Sequence, residues 1–474
     1  MKTFNLIDQP WIPVKGCKIG LADTFRQAHQ IQGLASETSL VDVSLLRLLL
    51  TIAQRVYPTD ADRLRLWRQG AFDDRVQHYL NQWRQAFDLF PKDEAQRPFF
   101  QCTDMPTRST SPINKLPIHM ASGDTITFAD HHVDGRSRLP FDEVARNLVA
   151  TQFFGLGGLT GYSKAPSFQG SPWAYHVVTM LTGQNLLQTI LLNYVPAEHF
   201  AAINEPDLPT WEQADPWRER EIPDGPLDYL TWPMRRVKLV IEDGDTSCRD
   251  FMWLPGLDRP DTKTCPDPYL LAAMTHDKKP VRYFLRAEDD NANWYNYLFS
   301  LLVSETRSPI VTYAEAFCRE TGMDDKCVVR AVGVPGDKGR VDGAVDVNVP
   351  WSFDNAWQSE KLAMLALAKQ GEQVVRRISY GYAMELSPKG DPKVQGDWAK
   401  KHIKSWDIQG RYWASLIPDW SALRSAGNTD AWGNAVISAA YRELLALGNS
   451  PAGTDGKINL MMRLRQEVYE TTST

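Results

Sequence analysis

Residues 327–349 read CVVRAVGVPGDKGRVDGAVDVNV and contain two apolar runs around a short polar turn. The runs cover Cys327 to Val334 and Val341 to Val349, and Gly336-Asp337-Lys338-Gly339 lies between them. Asp and Gly between two such runs are a strong local signal for a β-hairpin, because glycine readily adopts the backbone angles of a tight turn. The sequence therefore predicts a hairpin whose tip is formed by residues 336–339.

The chain changes character after Trp351, where helix-length segments replace the apolar alternation. Proline- and glycine-containing loops separate four such segments, which are Glu360 to Tyr382, Trp398 to Leu416, Thr429 to Ala446 and Asp455 to Thr471. Four helices with short connections are typical of a bundle. We therefore expect residues 356–474 to form a C-terminal four-helix bundle.

Residues 1–355 mix the two kinds of periodicity, and we expect them to form one large mixed α/β domain. Helices are predicted over Leu40 to Tyr57, in two segments between Asp62 and Phe90, and over 141–153 and Asn293 to Thr306. Strands are predicted over Phe4 to Ile7, Trp11 to Val14, Thr125 to Phe128, Val237 to Ile241 and Val281 to Leu285, and Trp173 to Val195 is predicted to be helical or mixed. The fold class expected for the whole chain is α+β.

Composition narrows the classes of protein further. The 474 residues are 43% hydrophobic and 23% charged, as in ordinary soluble proteins, and the net charge of −6 excludes a uniformly basic nucleic-acid coat. No apolar stretch is long enough for a membrane span, and the N-terminus lacks the apolar core of a signal peptide, so we expect a cytoplasmic protein with no membrane partner. The six cysteines lie far apart and form no zinc-ligand spacing.

Two groups of residues raise the question of enzyme chemistry. The glycine cluster at 155–161 follows a predicted helix rather than a strand and is not followed by Lys-Ser or Lys-Thr, which argues against a dinucleotide or nucleoside-triphosphate site. His131, His132 and Asp134 lie together in an irregular region and suggest a metal site. The 16 tryptophans add to that hypothesis, so one candidate is a metal-dependent hydrolase acting on a polymeric substrate.

Basic stretches interleaved with aromatic residues favour a different function. They include Arg235-Arg236 with Lys238, Lys278-Lys279 with Arg282 and Arg286, Arg376-Arg377, and Lys400-Lys401-His402 with Lys404. The aromatic residues near them are Trp232, Tyr283, Trp398, Trp406, Tyr412 and Trp413. Such a combination is typical of nucleic-acid binding, although a solvated charged face has the same appearance in a sequence.

The order of segments along the chain resembles a known family. The segments are Asn5-Leu6-Ile7-Asp8, Trp11-Ile12-Pro13-Val14, Phe87-Asp88-Leu89-Phe90, Arg97-Pro98-Phe99-Phe100-Gln101, the glycine loop 155–161, the hairpin 327–349 and the terminal helices. Together they look like the CasA family, the large subunit of the type I-E CRISPR surveillance complex, Cascade. The resemblance covers nearly the whole chain.

The resemblance implies a DNA-recognition subunit with no enzymatic activity, no cofactor and no metal. In the family, this subunit reads the protospacer-adjacent motif in double-stranded target DNA and helps to open the duplex for pairing with the CRISPR guide RNA. It also provides the docking surface for the helicase-nuclease. The implied partners are the other Cascade subunits, the guide RNA, the target DNA and that nuclease, with motif reading by protein and the remaining sequence read by base pairing.

The family's motif-reading elements correspond to several residues of this chain. The family's glycine loop, which approaches the motif, matches Gly155, Gly157 and Gly158. The absence of side chains there would let the backbone enter a minor groove about 6 Å wide. The hairpin that splits the first base pair aligns from Gly333 to Val341, so its tip is Asp337, Lys338 and Gly339. The family commonly has Asn-Gln where this chain has Asp337-Lys338, and Lys338 is expected to insert its aliphatic stem or hold a phosphate.

The remaining family contacts are carried over to five other positions. Arg249 is the equivalent proposed for a lysine that touches the motif from the minor groove. Phe128 matches the aromatic residue of the loop that anchors the subunit on the guide RNA. Lys400, Lys401 and Lys404 in the predicted bundle are expected to contact the DNA backbone or the displaced strand.

Overall fold

The computed structural model provides the coordinates of the protein. It describes most of the chain, in these ranges: 4–93, 95–105, 110–119, 137–157, 170–200, 206–242, 244–260, 266–275, 279–288, 293–322, 327–337, 340–341, 343–422 and 429–448. The strand predicted at Thr125 to Phe128 and the fourth predicted helix, Asp455 to Thr471, lie outside these ranges.

The described helices are numbered α1–α13 in chain order. The first seven are α1 (Leu21–Arg26), α2 (Ser39–Val56), α3 (Asp60–Gln69), α4 (Arg75–Gln82), α5 (Phe141–Phe154), α6 (Leu186–Leu192) and α7 (Pro226–Leu230). The other six are α8 (Asn293–Leu302), α9 (Pro309–Thr321), α10 (Asn355–Leu386), α11 (Pro392–Trp406), α12 (Ile408–Ala422) and α13 (Thr429–Gly448). Short 3₁₀ helices cover Arg84–Phe87, Ile113–Lys115 and Ala197–His199.

The described strands are numbered β1–β14. Seven are β1 (Ile12–Val14), β2 (Cys17–Ile19), β3 (Ser111–Pro112), β4 (Leu139–Pro140), β5 (Val177–Thr182), β6 (Arg235–Val240) and β7 (Ser247–Cys248). Seven more are β8 (Asp250–Pro255), β9 (Ala272–Met274), β10 (Arg282–Phe284), β11 (Cys327–Gly333), β12 (Gly336–Asp337), β13 (Arg340–Val341) and β14 (Val345–Trp351). Short strands and long helices together give the mixed fold class that the sequence predicts.

The chain divides into two compact units. The first contains Met1–Asp289 and Thr306–Asn348, and the second contains Asp290–Glu305 and Val349–Thr474. Helix α8 therefore groups with the C-terminal helices, whereas the sequence boundary at 355/356 assigns it to the N-terminal domain. The physical reason is aromatic packing, because Trp294 of α8 contacts the rings of Trp413 and Trp420 at centroid distances of 5.9 and 5.5 Å.

Helix α2 is the centre of the first unit. Thr38 caps it, since its side chain accepts a hydrogen bond from the backbone amide of Val41, and every residue from Leu40 to Gln54 is buried. Buried Arg47 lies over the rings of Phe153, Trp173 and Tyr229 at 4.4, 4.4 and 4.6 Å. The cation is thus held by aromatic faces, and its Nε donates to the carbonyl of Leu230.

The predicted hairpin is present and belongs to a sheet with strand order β14-β11-β5. Strand β11 pairs antiparallel with β5, from Val328 opposite Thr182 to Gly333 opposite Val177. At the tip, β12 pairs with β13 through Gly336 opposite Val341 and Asp337 opposite Arg340. This register leaves two residues between the paired strands, the spacing of a two-residue hairpin loop.

A second sheet of the first unit has the order β3-β8-β6. Strands β6 and β8 pair antiparallel from Arg235 opposite Pro255 to Val240 opposite Asp250. The sequence predicts β6 but not β8, whose half-buried residues lack a regular apolar alternation. The predicted strand Phe4 to Ile7 is wrong, because Asn5 forms only an isolated bridge to Asp88 and a turn follows.

The described helices of the second unit pack around buried aromatic rings. Asp354 caps α10 by accepting from the amides of Ala356 and Trp357, and Tyr412, Trp413 and Trp432 form part of the core. The single helix predicted over Trp398 to Leu416 is wrong. Asp407 adopts a left-handed backbone (φ 48°) that ends α11, and α12 begins at the next residue.

Candidate nucleic-acid interface

Backbone hydrogen bonds join the residues at the end of α5, just before 158, to the residues just after 169. We call these two hydrogen-bonded stretches the stem of the glycine segment. The amide of Gly155 donates to the carbonyl of Thr151 at 3.0 Å, and the amide of Ser171 donates to the carbonyl of Gly155 at 2.6 Å. The chain before 158 and the chain after 169 therefore lie side by side, although 158–169 are outside the described residues. A segment with closely spaced ends is a common way to present a functional loop from a rigid support.

Packing inside the stem explains why Gly155 is a glycine. An added Cβ at Gly155 would lie 2.4 Å from the carbonyl oxygen of Thr151 and 2.8 Å from Oγ of Ser171. Gly155 and Gly157 are both buried. These two glycines therefore pack at the base of the segment in the free chain, and their contact with a DNA groove stays a prediction; Gly158 lies outside the described residues.

Two arginines hold the two sides of the stem. Nη2 of Arg235 donates to the carbonyl of Leu156 at 2.9 Å, and Nη2 of Arg259 donates to the carbonyl of Ser171 at 3.1 Å. Arg235 is fully buried, and burial lowers the pKa of its guanidinium to about 10. Burial also lowers the pKa of Arg259. The stem of the glycine segment is thus surrounded by positive charge on both sides.

Tyr175 and Arg286 connect the glycine segment to the hairpin tip. The amide of Gly157 donates to the hydroxyl of Tyr175 at 3.2 Å, and the Arg286 guanidinium carbon lies 5.6 Å from the centre of the Tyr175 ring. Nη2 of the same arginine donates to the carbonyl of Gly336 at 2.8 Å. Two side chains therefore span the distance from the glycine segment to the first residue of the hairpin tip.

The base of the hairpin is packed against the same region. A Cβ at Gly333 would lie 2.7 Å from both Cβ of Ala287 and the carbonyl oxygen of His176, so no larger residue fits there without movement. His176 also forms a β-bridge with Arg286. The hairpin consequently has little freedom to shift relative to Tyr175 and its neighbours.

The electrostatics of this region are those of a cationic site. Burial, together with the charges of Arg259 and Arg286, lowers the pKa of His176 to about 4. Its Nδ1 lies 2.8 Å from the carbonyl of Ala174, a contact that acts in the opposite direction by favouring a protonated nitrogen. The ring is therefore neutral at physiological pH, and the positive charge belongs to the surrounding arginines.

The structure describes Arg249 in full. It is exposed and lies between β7 and β8, with Nε 3.9 Å from a carboxylate oxygen of Asp250. Its backbone carbonyl accepts from the amide of Ile113 at 2.8 Å, which fixes the strand position but leaves the side chain at the surface. Of the predicted hairpin-tip residues, Asp337 is described only in its backbone pairing with Arg340.

The predicted DNA-backbone lysines lie on one helix of the second unit. Lys400, Lys401 and Lys404 are all exposed on α11, where spacings of three and four residues place them on one face. Lys400 has a weak ion pair with Asp397 at 3.9 Å. Of the aromatic residues close in sequence to basic stretches, Trp232 of the first unit and Tyr412 and Trp413 of the second are fully buried. They therefore belong to the core of their own unit and do not form a stacking surface.

Several predicted site residues fall outside the described ranges. They are Phe128, Gly158, Lys338 and Gly339 of the family resemblance, and His131, His132 and Asp134 of the hydrolase hypothesis. Within the ranges that the coordinates describe, no three His, Cys, Asp or Glu side chains cluster as a metal site would require. In the same ranges, none of the helices combines the length and hydrophobicity needed to cross a bilayer.

Comparison with known proteins supports the family resemblance. The sequence pattern of the family described as CRISPR-associated protein Cse1 matches residues 5–445, which is most of the chain. The chain belongs to the Cse1 family. A relative from Thermus thermophilus, named CRISPR-associated protein CasA/Cse1, is 30% identical over 364 residues that cover 72% of this chain and 69% of the relative.

Solved structures of Cse1 proteins share the fold. A crystal structure of CasA from Thermus thermophilus matches with a TM-score of 0.80 and 24% identity, covering 99% of this chain and 100% of that chain. Cse1 from Acidimicrobium ferrooxidans matches with a TM-score of 0.76 and 22% identity, covering 99% and 98%. A chain of a structure titled CRISPR RNA-guided surveillance complex matches with a TM-score of 0.72 and 20% identity, covering 99% and 100%.

Sequence reasoning did not identify the residues that join the glycine segment to the hairpin tip. Arg235 and Arg286 belong to basic stretches that the sequence analysis names, but nothing in the sequence shows which backbone groups they bind. Tyr175 has no motif of its own, and its left-handed backbone (φ 65°) is a feature that only coordinates reveal. Arg259 stands alone between Asp258 and Pro260 and offers no local signal either.

Proposed function

We propose that this chain is the large, non-enzymatic subunit of a type I-E Cascade complex. In this proposal it recognises the protospacer-adjacent motif in double-stranded DNA, promotes opening of the duplex for guide-RNA pairing and recruits the helicase-nuclease. Membership of the Cse1 family supports the proposal, as does the match to a chain of a surveillance-complex structure. The domain boundary at 355/356 and action in the cytoplasm belong to the same proposal.

The connection through Tyr175 and Arg286 is the observation that carries the motif-reading part. A protein that reads a short motif and opens the adjacent base pair needs its reading and wedging elements at a fixed separation. The stem of the glycine segment and the tip of the hairpin satisfy this need, since Gly157 and Gly336 bind opposite ends of one Tyr-Arg pair. Such preorganisation reduces the entropy lost on binding.

The electrostatics suit a duplex ligand. Arg235 and Arg259 bind the stem while Arg286 is exposed beside the hairpin. In the proposal, the phosphates of the duplex pass beside this cationic region. In the proposed mechanism, Gly158 enters the minor groove and the 336–339 tip separates the first base pair. Unstacking costs a few kcal/mol per step, which phosphate contacts have to offset.

The proposal assigns the remaining residues to the assembly. Phe128 would anchor the subunit on the guide RNA, Arg249 would add a contact to the motif, and Lys400, Lys401 and Lys404 would hold the DNA backbone. Arg249 and the three lysines are exposed, as such contacts require.

A gel shift of the reconstituted Cascade complex tests the proposal. Duplexes with and without the correct motif are compared for the wild type and for Gly158→Glu, which places a bulky negative charge at the proposed groove contact. We expect Gly158→Glu to remove motif discrimination, whereas Gly33→Glu, at an open position elsewhere in the first unit, retains it. Unchanged discrimination in Gly158→Glu, or metal-dependent turnover of a polymer by the chain, would overturn the proposal.

A further inference from the structure

An open pocket of about 300 Å³ lies in the first unit, formed by residues that the proposed function does not use. Its walls come from the end of α4 and the 3₁₀ helix after it, the 96–101 segment and the 210–217 segment, with Gln152 and Pro233 completing the lining. The 96–101 segment contains Arg97-Pro98-Phe99-Phe100-Gln101, one of the motifs of the family resemblance. The motif therefore lines this pocket, and the proposed function gives it no role.

Aromatic rings form the apolar part of this pocket. Phe99 and Phe100 lie 6.3 and 6.1 Å from the ring of Trp211, and Trp217 lines the pocket with them. Phe100 has a left-handed backbone (φ 50°), a conformation that is costly for an aromatic residue and that turns this part of the wall. A strained backbone persists only where the surrounding structure holds it, and such positions are concentrated at binding sites.

Arg97 lines the pocket and Arg236 lies beside one of its walls, so these two arginines bring positive charge to it. The guanidinium carbons of Arg97 and Arg236 lie 5.9 and 5.8 Å from the centre of the Trp217 ring. Arg97 is held in place because its Nη2 donates to the carbonyls of Thr210 and Gln213 at 2.8 and 2.9 Å. Among the residues that the structure describes, neither arginine forms an ion pair within 4.0 Å, and the charge of Asp215 acts on Arg97 from farther away.

The lining indicates a ligand with two chemical parts. Planar apolar walls favour a flat aromatic group, and the guanidinium groups beside Trp217 favour an anion next to it. The lining includes no Asp or Glu among the described residues, and the amide side chains of Gln82, Gln85 and Gln96 can both donate and accept. Burial lowers the pKa of Arg97, and the charge of Asp215 opposes this shift only in part.

We propose that this pocket binds one unstacked nucleotide of a single strand. The base lies against Phe100 and Trp217, and its phosphate lies beside Arg97 and Arg236. A neutral sugar would leave the charge of both guanidinium groups without an anion, and an aliphatic peptide side chain would not use the flat walls. The inference rests on the proposed function, because opening a duplex produces the single strand that supplies such a nucleotide.

Photocrosslinking of the full-length chain locates the ligand. The probe is a short single strand in which 5-bromouracil replaces some thymines, and a 5-bromouridine RNA of the same sequence distinguishes DNA from RNA. After irradiation, we expect crosslinked peptides that contain residues 97–101 or 211–217, competed by unlabelled single strand and not by duplex. Crosslinks confined to other peptides would overturn the inference.

A second measurement separates stacking from charge. Trp217→Leu is expected to weaken binding of a short single strand about tenfold, within the range known for loss of one base stack. Trp217→Phe keeps a ring and should restore most of the affinity. On a matched strand with abasic sites, Trp217→Leu should have no further effect. Equal weakening on both strands, or no effect of Trp217→Leu on the normal strand, would contradict a base pocket.

Arg236→Gln tests the phosphate contact against a matched loss of charge at exposed Arg68. We expect Arg236→Gln to weaken binding several-fold and to reduce its salt dependence, while Arg68→Gln behaves like the wild type. Identical effects of the two substitutions would overturn the phosphate assignment. Failure here is distinguishable from failure of the proposed function, because the motif-dependent gel shift of the complex does not require this pocket.

Discussion

Gly155 illustrates that a glycine in a sequence can indicate either close internal packing or close approach to a ligand. Glycine at this position suggests a backbone that approaches a ligand, yet the structure uses it to let the end of α5 pass Thr151 and Ser171. The sequence correctly identifies a special backbone position but cannot tell internal packing from groove entry. The difference depends on contacts with residues distant in the chain, such as Ser171, which no local pattern encodes.

Gly155→Ala should therefore lower the stability of the chain whether or not DNA is present. The added Cβ would meet the carbonyl oxygen of Thr151 at 2.4 Å, and the backbone would have to shift. We expect the free energy of unfolding to fall by about 1–3 kcal/mol, measured by urea denaturation. Gly33→Ala is the matched control, since nothing lies within 4 Å of an added Cβ there. Equal stability of the two variants would contradict the packing account.

Tyr175→Phe isolates a single hydrogen bond at the same scale. The ring remains available to Arg286, but the amide of Gly157 loses the hydroxyl acceptor at 3.2 Å. The loss should be about 0.5–1.5 kcal/mol, expressed as faster hydrogen exchange of the Gly157 amide. Exchange at the wild-type rate would show that the hydroxyl does not hold the segment.

Element boundaries follow the sequence where the apolar pattern is long and regular. Helix α2 and strand β11 are predicted within a residue or two, because each keeps one period over its length, whereas β14 begins four residues later than the predicted Val341. Asp407 is different: the apolar pattern continues through it, and the left-handed backbone that separates α11 from α12 produces no change of composition. The grouping of α8 with the C-terminal helices likewise depends on ring contacts distant in sequence.

The hairpin tip is the element whose loss should affect opening more than binding. Lys338→Ala removes the lysine side chain from the tip, and Lys338 is not one of the residues paired between β12 and β13. In the reconstituted complex, we expect initial affinity for a motif-containing duplex to change less than about twofold, while the opening rate reported by 2-aminopurine fluorescence falls several-fold. Equal opening rates would count against a wedge role for Lys338.

The basic face of α11 predicts a salt effect that is independent of DNA sequence. Neutralising Lys400, Lys401 and Lys404 together should lower affinity equally on all duplexes and flatten its salt dependence, since each lost phosphate contact reduces the slope by about one. Neutralising Lys389 and Arg442, which are also exposed in the second unit and lie outside the predicted nucleic-acid stretches, is the control and should leave the slope unchanged. An unchanged slope in the triple variant would make those lysines an ordinary solvated surface.

For the whole molecule, His176 gives the interface region a pH dependence. Its pKa is lowered from 6.5 to about 4 by burial, Arg259 and Arg286, so between these pH values the unfolded chain binds a proton that the folded chain does not. The free energy of unfolding should therefore fall as the pH decreases from 6.5 towards 4, by about 1–3 kcal/mol in total. Above this range the contribution is constant.

His176→Gln tests that dependence. Urea denaturation at several pH values between about 7.5 and about 4.5 should give a shallower decline for the variant than for the wild type, because the titrating group has been removed. Parallel curves for the two proteins would show that His176 contributes nothing to acid sensitivity.

At the molecular scale, segment order alone indicates the family, and the family match over residues 5–445 confirms it. The site is harder to predict, because its parts come from the end of α5, the segment after β10, the β11–β12 part of the hairpin and the turn before β5, which the fold alone brings together. Arg286 is the residue expected to couple the glycine segment to the hairpin tip, since it contacts both Tyr175 and Gly336.

The opening rate of a motif-containing duplex by the reconstituted complex tests this claim most directly. Arg286→Ala is compared with Arg282→Ala, which also removes an exposed positive charge from the same stretch of chain. We predict that Arg286→Ala slows opening about tenfold, the loss expected for a hydrogen bond to a charged group, and that Arg282→Ala opens the duplex at the wild-type rate. Wild-type opening by Arg286→Ala, or equal slowing by both variants, would contradict the account.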